Sequence, residues 1–291
     1  MASTGTVSTL LVPAGGLGTR MLPGTKVLPK ELLPIVDRPI VQYGVEEAVR
    51  SGIREVVLIT NPGNALTASH FATNPALEAA LAEKNQSELL EAVRNLATMA
   101  DVTSLPQVEP RGLGHAVLSG KPAVSECPFA VLLPDDVIDA EPAALQQMLD
   151  VFSEVDGPVL LVERVPRNAV GRYGIIAAEA VRNGVLRVTD LVEKPDPNDA
   201  PSEFAIIGRY ILTPDIFALL EQTPAGAGGE IQLTDALGKL LAVRPIHACV
   251  LQGTRLDAGT KLGYVNAVLH FALKHPELGP ELKATLKQLF R

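Results

Sequence analysis

The stretch Leu10–Ile40 reads "LLVPAGGLGTRMLPGTKVLPKELLPIVDRPI". It opens on an apolar run, passes through Gly15, Gly16 and Gly18, and continues into prolines and cations. A short run rich in Leu and Val that stops at glycine reads as a buried strand feeding a loop. Glycine lets backbone N–H groups approach an anion with no Cβ in the way. In open α/β sheets, ligands sit beyond the carboxyl ends of the strands, which is where this loop falls. A plain turn accounts for the glycines equally well. Two familiar phosphate motifs fail here. G-x-G-x-x-G would begin at Gly16 and Gly18 but meets Met21 at its last position, and G-x-x-x-x-G-K-[ST] is absent. The cations go beyond what a turn needs. Arg20, Lys26 and Lys30 follow the loop, and Pro23 and Pro29 restrict how the segment turns. Each cation–anion contact at 4 Å and an effective dielectric near 20 is worth about 4 kcal/mol before desolvation. Two or three such contacts suit a bound phosphate chain.

Outward from this stretch, short β-rich runs alternate with helical ones. Strand candidates are Thr9–Ala14, Glu55–Thr60, Phe129–Pro134 and Gly157–Val165. Helix candidates are Pro39–Ser51, Pro75–Leu96, Gly114–Ser119 and Pro142–Glu154. Near-continuous apolar strands alternating with helices predict an α/β fold with a mostly parallel sheet covered on both faces. From Tyr173 the alternation weakens. Two strands around a turn at Asn183-Gly184 and a further strand in "EFAIIGRYIL" predict a small antiparallel subregion. A helix follows in Gly229–Ala242, a late strand in "PIHACVLQG", and one or two helices in the last forty residues. No repeat or long linker interrupts residues 1–291, so one unit is expected.

Composition narrows the function classes. Hydrophobic residues make up 47% and charged residues 20%, the profile of a globular chain. A net charge of −8 argues against nucleic acid as partner, which requires a basic footprint. No apolar run approaches the roughly 20 residues of a membrane span, and the first ten residues lack a secretory pattern. A cytoplasmic location is therefore expected. Cys127 and Cys249 are far apart, form no metal or redox motif, and are expected as two reduced, buried thiols.

Six motifs then give a resemblance that runs nearly the whole chain. They are the opening stretch, "GLGHAV" at Gly112–Val117, "LPDD" at Leu133–Asp136, "VEKP" at Val192–Pro195, "GEIQLTDAL" at Gly229–Leu237 and "LDAGTKLGY" at Leu256–Tyr264. In this order they resemble the sugar-1-phosphate nucleotidyltransferases, and within them the bacterial UTP–glucose-1-phosphate uridylyltransferase (UDP-glucose pyrophosphorylase) family. The resemblance implies a Rossmann-like nucleotidyltransferase fold. Residues 8–172 would be mainly the nucleotide part, 173–258 mainly the sugar-phosphate part, and 259–291 C-terminal helices. It implies Mg²⁺-dependent transfer of UMP from UTP to α-D-glucose 1-phosphate, giving UDP-glucose and pyrophosphate, by a homodimer or homotetramer.

The resemblance also implies roles. Arg20 and Lys30 would hold the triphosphate and leaving group, and Lys194 the attacking phosphate. Asp135 and Asp257 would place the metal, a natural use for carboxylates at strand ends, because Mg²⁺ takes one or two of them and fills its octahedron with water and phosphate oxygens. Asp136 is read as a neighbour or cap. Ala14, Gly15, Gly16, Gly18, Thr19, Glu31, Gln107 and Gly112 would bind the nucleotide, the glutamine amide pairing with both edges of uracil. Tyr173, Gly174, Glu193 and Gly208, with Lys194, would bind the sugar phosphate. His115 is read as structural, because a phosphate monoester is largely dianionic at pH 7 and needs no general base. Two rivals remain. A thymidylyltransferase usually carries Gln at Glu31 and "GLAQA" in place of "GLGHA". A non-catalytic regulator tends to lose the lysines or aspartates that are present here. Gly15, Gly24 and Arg38 depart from the common family residues, and "NPGNALTASHF" (Asn61–Phe71) is poorly matched.

Overall fold

The Thr9–Pro13 strand lies between Glu55–Thr60 and Phe129–Leu132 and runs parallel to both. Alternate side chains serve opposite faces of the sheet. Leu10 and Val12 enter one core cluster with Val41, Val45 and Met148, whereas Leu11 enters another with Val117, Ile216 and Leu237. Burial on both faces explains why this strand reads as a continuous apolar run. The computed structural model describes residues 5–124, 126–155 and 157–289.

The sheet has nine strands. Asp101–Pro106 extends the parallel set beyond Glu55–Thr60. Past Phe129–Leu132 the sheet is mixed. Phe204–Leu212 runs antiparallel to Phe129–Leu132 and to Val159–Arg164, and His247–Val250 returns parallel to Val159–Arg164. Val185–Glu193 and Gly174–Arg182 form the hairpin expected from the sequence, with Gly184 at φ 74° in its turn. The hairpin's first strand also pairs with Phe204 and Ala205.

Helices Ile40–Arg50, Leu113–Ser119 and Ala144–Glu154 follow the predicted positions closely. The expected single helix over Pro75–Leu96 is two, Pro75–Glu83 and Ser87–Thr98. Asn85 between them takes a left-handed φ of 55°, and Asn74 caps the first by accepting from the Leu77 N–H at 3.1 Å. The strand Asp101–Pro106 has no counterpart among the sequence candidates, because its side chains are mostly exposed and polar. The C-terminal segment forms two helices, Lys261–Lys274 and Leu278–Leu289. The first packs on its own chain: Tyr264 Oη donates to Pro34 O at 2.6 Å, and Phe271 meets Tyr43 with ring centroids 4.6 Å apart. One expectation needs correcting. Cys249 is buried, but Cys127 is exposed, since it lies ahead of the buried Phe129–Leu132 strand rather than within it. Among the described residues, no helix is long and apolar enough to cross a membrane.

Two features outside the sheet ladder position the site. Asp136–Asp139 pairs antiparallel with Thr254–Asp257, setting Asp136 opposite Asp257. Beneath the loop that leads into this pair lies a buried ion pair. Arg209 Nε and Nη2 donate to Glu47 Oε1 and Oε2 at 3.0 and 2.8 Å, with the two side chains only 1% and 2% exposed. The guanidinium also donates to the backbone oxygens of Leu133, Gly208 and Asp136. Glu47 Oε1 accepts the Leu145 N–H in the first turn of Ala144–Glu154, where a carboxylate is favoured.

Removing one partner of such a pair strands a buried charge. Arg209→Leu should therefore lower the unfolding free energy by about 3–5 kcal/mol. The Arg209→Leu, Glu47→Leu double substitution should recover part of that loss, and urea midpoints of the two variants will show whether it does.

Candidate active site

A cavity of about 830 Å³ opens beside the end of Phe129–Leu132. It is lined by eight residues singled out from the sequence: Arg20, Asp135, Tyr173, Gly174, Glu193, Lys194, Gly208 and Asp257. The nucleotide candidates lie to one side. Ala14 continues its strand's pairing by donating to Ile59 O at 2.7 Å. Gly18 sits at φ 62°, a left-handed conformation that favours glycine, and its carbonyl accepts from Thr25 Oγ1 at 2.7 Å. Thr19 opens the short turn Thr19–Met21 that carries Arg20.

The two predicted base-reading residues come together. Gln107 Nε2 lies 3.3 Å from Gly112 O and 3.2 Å from His115 Nδ1, so His115 holds the amide in place. A Cβ at Gly15 would sit 3.1 Å from Gln107 Oε1, which brings the glycine loop and the Gln107 segment into contact. Gly112 is fixed by backbone geometry: its φ is 100°, and a Cβ would meet Ile231 O at 2.9 Å.

Lys30 connects this side to the acidic centre. Its ammonium lies along Gly16, about 3.9 Å from where a Cβ would stand, and reaches Asp135 Oδ2 at 2.6 Å. Burial opposes the Lys30 charge, but the Asp135 and Glu31 carboxylates together more than offset it, so the ammonium's pKa lies above the usual lysine value. Burial likewise opposes ionisation of Asp135, and Lys30 outweighs it and holds that carboxyl below its usual range. Glu31 differs from its neighbour. It is buried, both carboxylate oxygens are closed to solvent and lack a hydrogen-bond partner, and Lys30 Nζ stands 3.9 Å away. Burial pushes its pKa up to about 7 against the pull of Lys30. Glu31 thus sits behind the lysine and does not line the cavity.

Among the sugar-phosphate candidates, Lys194 Nζ pairs with Glu193 Oε1 at 3.0 Å. The Lys194 backbone has φ 47° and donates to Tyr173 O at 3.0 Å. A non-glycine residue held in that region costs of order 1–3 kcal/mol and persists where the surroundings fix it. Gly174 leaves room for neighbouring oxygens: a Cβ would lie 3.0 Å from Thr234 Oγ1 and 3.2 Å from Glu193 Oε2. Gly208 donates its N–H to Asp136 Oδ2 at 3.1 Å, where a Cβ would come within 2.7 Å of the same oxygen. Asp136 is therefore a brace, not a cap.

Asp135 and Asp257 converge. A Cβ at Gly259 would lie 2.7 Å from Asp135 Oδ2 and 3.2 Å from Asp257 Oδ1, so the glycine leaves open a spot that both carboxylates face. Among the described residues, no group of three or more His, Cys, Asp or Glu could hold a metal. Two carboxylates without a third protein ligand fit Mg²⁺, which completes its shell with water and phosphate oxygens, and do not fit a closed zinc site.

Sequence reasoning missed two arginines here. Arg255 bonds Asp136, Glu163 at 2.6 Å and the Tyr173 hydroxyl at 2.9 Å. Arg172 Nη2 meets Asp257 Oδ2 at 2.9 Å. The available signal was proximity in sequence: Arg255 stands two residues before Asp257, and Arg172 directly precedes Tyr173.

Comparison with known proteins shows the family. The family described as Nucleotidyl transferase matches residues 10–272. The UTP–glucose-1-phosphate uridylyltransferase of Bacillus subtilis is 44% identical over 272 residues, covering 94% of this chain and 93% of that protein. The UTP-bound UGPase from Acinetobacter baumannii superposes with a TM-score of 0.91 at 39% identity, over 98% of this chain and 100% of that one. A UDP-glucose pyrophosphorylase complexed with UDP-glucose gives 0.85 at 38% identity, over 93% and 100%.

The raised Glu31 pKa has a consequence for stability. The folded chain keeps this proton up to about pH 7, whereas an unperturbed glutamate loses it near 4.5. Between those values the folded state binds more protons, so stability falls as pH rises. At 1.36 kcal/mol per pKa step, the loss between pH 5 and pH 8 is about 2–3 kcal/mol. Glu31→Gln lacks this proton. Its stability relative to the parent chain should rise by that amount over the same interval, as read from urea midpoints at the two pH values.

Proposed function

Since the chain belongs to the nucleotidyl transferase family, we propose that it transfers UMP from UTP to α-D-glucose 1-phosphate with Mg²⁺ as cofactor, releasing pyrophosphate and forming UDP-glucose. One observation carries the reading. Two carboxylates converge at Gly259, with Lys30 on one side and Lys194 on the rim of the same cavity. The names of the relatives supply the substrates, since they include uridylyltransferases and a UTP-bound UGPase.

The chain's residues then divide the work. Backbone N–H groups of the Gly15–Gly18 loop face the phosphate chain, and Arg20 and Lys30 hold its β and γ oxygens, where negative charge grows as pyrophosphate leaves. The Gln107 amide, held by His115, reads the base, with Gly112 beside it. Glu193 accepts hydrogen bonds from sugar hydroxyls, and Lys194 binds the sugar's phosphate as a point charge. The nucleophile is a phosphate oxygen already ionised at pH 7. Catalysis therefore rests on bringing two polyanions into line and stabilising the departing group. Mg²⁺ held by Asp135 and Asp257 would supply charge neutralisation at the phosphates. The nucleotide side would be mainly residues 8–172 and the sugar side mainly residues 173–258.

A pyrophosphate-release panel crossing UTP, dTTP, ATP and GTP with several sugar 1-phosphates tests the assignment. UTP with glucose 1-phosphate should give the highest kcat/KM, and EDTA should abolish it. Equal or better use of dTTP would move the chain to the thymidylyl class, and no release with any pair would leave a non-catalytic member of the family. Lys30→Ala should lower kcat by on the order of 10²-fold, because its contact strengthens as the leaving group departs; unchanged turnover removes that role.

A further inference from the structure

Both carboxylates that converge at Gly259 are already engaged by cations. Lys30 Nζ lies 2.6 Å from Asp135 Oδ2, and Arg172 Nη2 lies 2.9 Å from Asp257 Oδ2. The second Asp257 oxygen, Oδ1, accepts the Gly259 N–H at 3.1 Å, so the carboxylate is anchored to its loop and Arg172 covers its other face. Two carboxylates and two cations leave this centre neutral. A divalent ion cannot gain full use of Asp257 while the guanidinium stays there.

Arg172 is built to leave. Its side chain is 56% exposed, and an exposed ion pair of this kind is weak. It ends the turn Arg167–Arg172 and lies over the Tyr173 ring, 5.6 Å from its centroid. Tyr173 O in turn accepts the Lys194 N–H. Arg172 also lines the main cavity together with Lys194. A displaced guanidinium therefore has an anion site beside it, and arginine suits phosphate through paired N–H donors.

Resting on the uridylyl-transfer reading, we propose that Arg172 is an exchange residue: it pairs with Asp257, yields that carboxylate to the divalent ion, and is passed to the phosphate of the sugar phosphate beside Lys194. Metal and sugar phosphate then bind cooperatively through one side chain. By linkage, each must tighten the other by the same factor. The arrangement also disfavours metal loading before substrate arrives.

The test is a Mn²⁺ titration of the full chain, followed by the electron paramagnetic resonance signal of free Mn²⁺, with and without glucose 1-phosphate. In the parent chain, glucose 1-phosphate should tighten Mn²⁺ binding several-fold. Arg172→Gln should bind Mn²⁺ about 3-fold or more tightly without sugar phosphate, and should lose the tightening when sugar phosphate is added. Its KM for glucose 1-phosphate should rise about 10-fold, with the KM for UTP little changed. An arginine that merely repels the metal would raise Mn²⁺ affinity on removal yet leave the tightening intact, and that result overturns the proposal. So does a parent chain whose Mn²⁺ affinity ignores glucose 1-phosphate. Turnover of UTP and glucose 1-phosphate by the parent chain, measured in parallel, tells failure of the exchange from failure of the functional reading.

Discussion

The candidate site hangs on the buried pair between Arg209 and Glu47. Burying two charges costs several kcal/mol per ion and is tolerable only when the geometry is close and the remaining donors find partners. Both conditions hold. The guanidinium reaches the carboxylate with two hydrogen bonds and takes three backbone carbonyls, while Glu47 also accepts an N–H from the start of another helix. Two of those carbonyls, Leu133 and Asp136, bracket Asp135. The pair thus fixes the loop that carries Asp135 to a helix and to a central strand. From that loop the bonding runs outward. Asp136 holds Gly208 and Arg255, and Arg255 holds the Tyr173 hydroxyl at the cavity wall. Core and cavity share one continuous polar network, of the kind that rigidifies when every member is satisfied.

The sequence made local features legible and left remote ones hidden, for a physical reason in each case. Thr9–Pro13 and Phe129–Leu132 were readable because both faces are buried, which demands unbroken apolar runs. The hairpin was readable because Asn183-Gly184 states its own turn. Asp101–Pro106 was not: a sheet-edge strand with polar, exposed side chains has little local pattern to show. The split at Asn85 depended on one left-handed residue inside an otherwise helical pattern. Arg209 and Glu47 are 162 positions apart, and nothing near either marks a charge destined for the interior. Lysines and aspartates in family motifs could be assigned roles by resemblance. Arg172 and Arg255 stood beside those motifs, and their use emerged only from what they touch.

The net charge of −8 also looks different at this scale. Bulk charge argued against a nucleic-acid footprint but said nothing about the cavity, where the field is set by pairs within a few ångströms. Here the pairs are balanced. Lys30 answers Asp135, Arg172 answers Asp257, and Lys194 answers Glu193. Glu31 is the exception, and burial raises its pKa to about 7 so that near neutrality a large share of it stays uncharged. Were it fully ionised, it would compete with Asp135 and the incoming phosphates for the same lysine. Keeping it partly protonated leaves more of that cation for the ligand side.

This balance bears on how a site with several preset charges can remain folded before substrates arrive. Unpaired, the same carboxylates and cations would repel or draw in solvent; paired, they hold one another at the positions their ligands will need. The four-residue strands Asp136–Asp139 and Thr254–Asp257 make that possible, because their backbone pairing sets Asp136 opposite Asp257. Lys194 is fixed in the same sense by its strained backbone and its bond to Tyr173 O. Of the long side chains Lys30 and Arg172, Arg172 is the more exposed and has room to change partners. Reorganisation on binding can then be confined to exchanging ion-pair partners, with the backbone already in place, which is the cheapest way to bring two anions together.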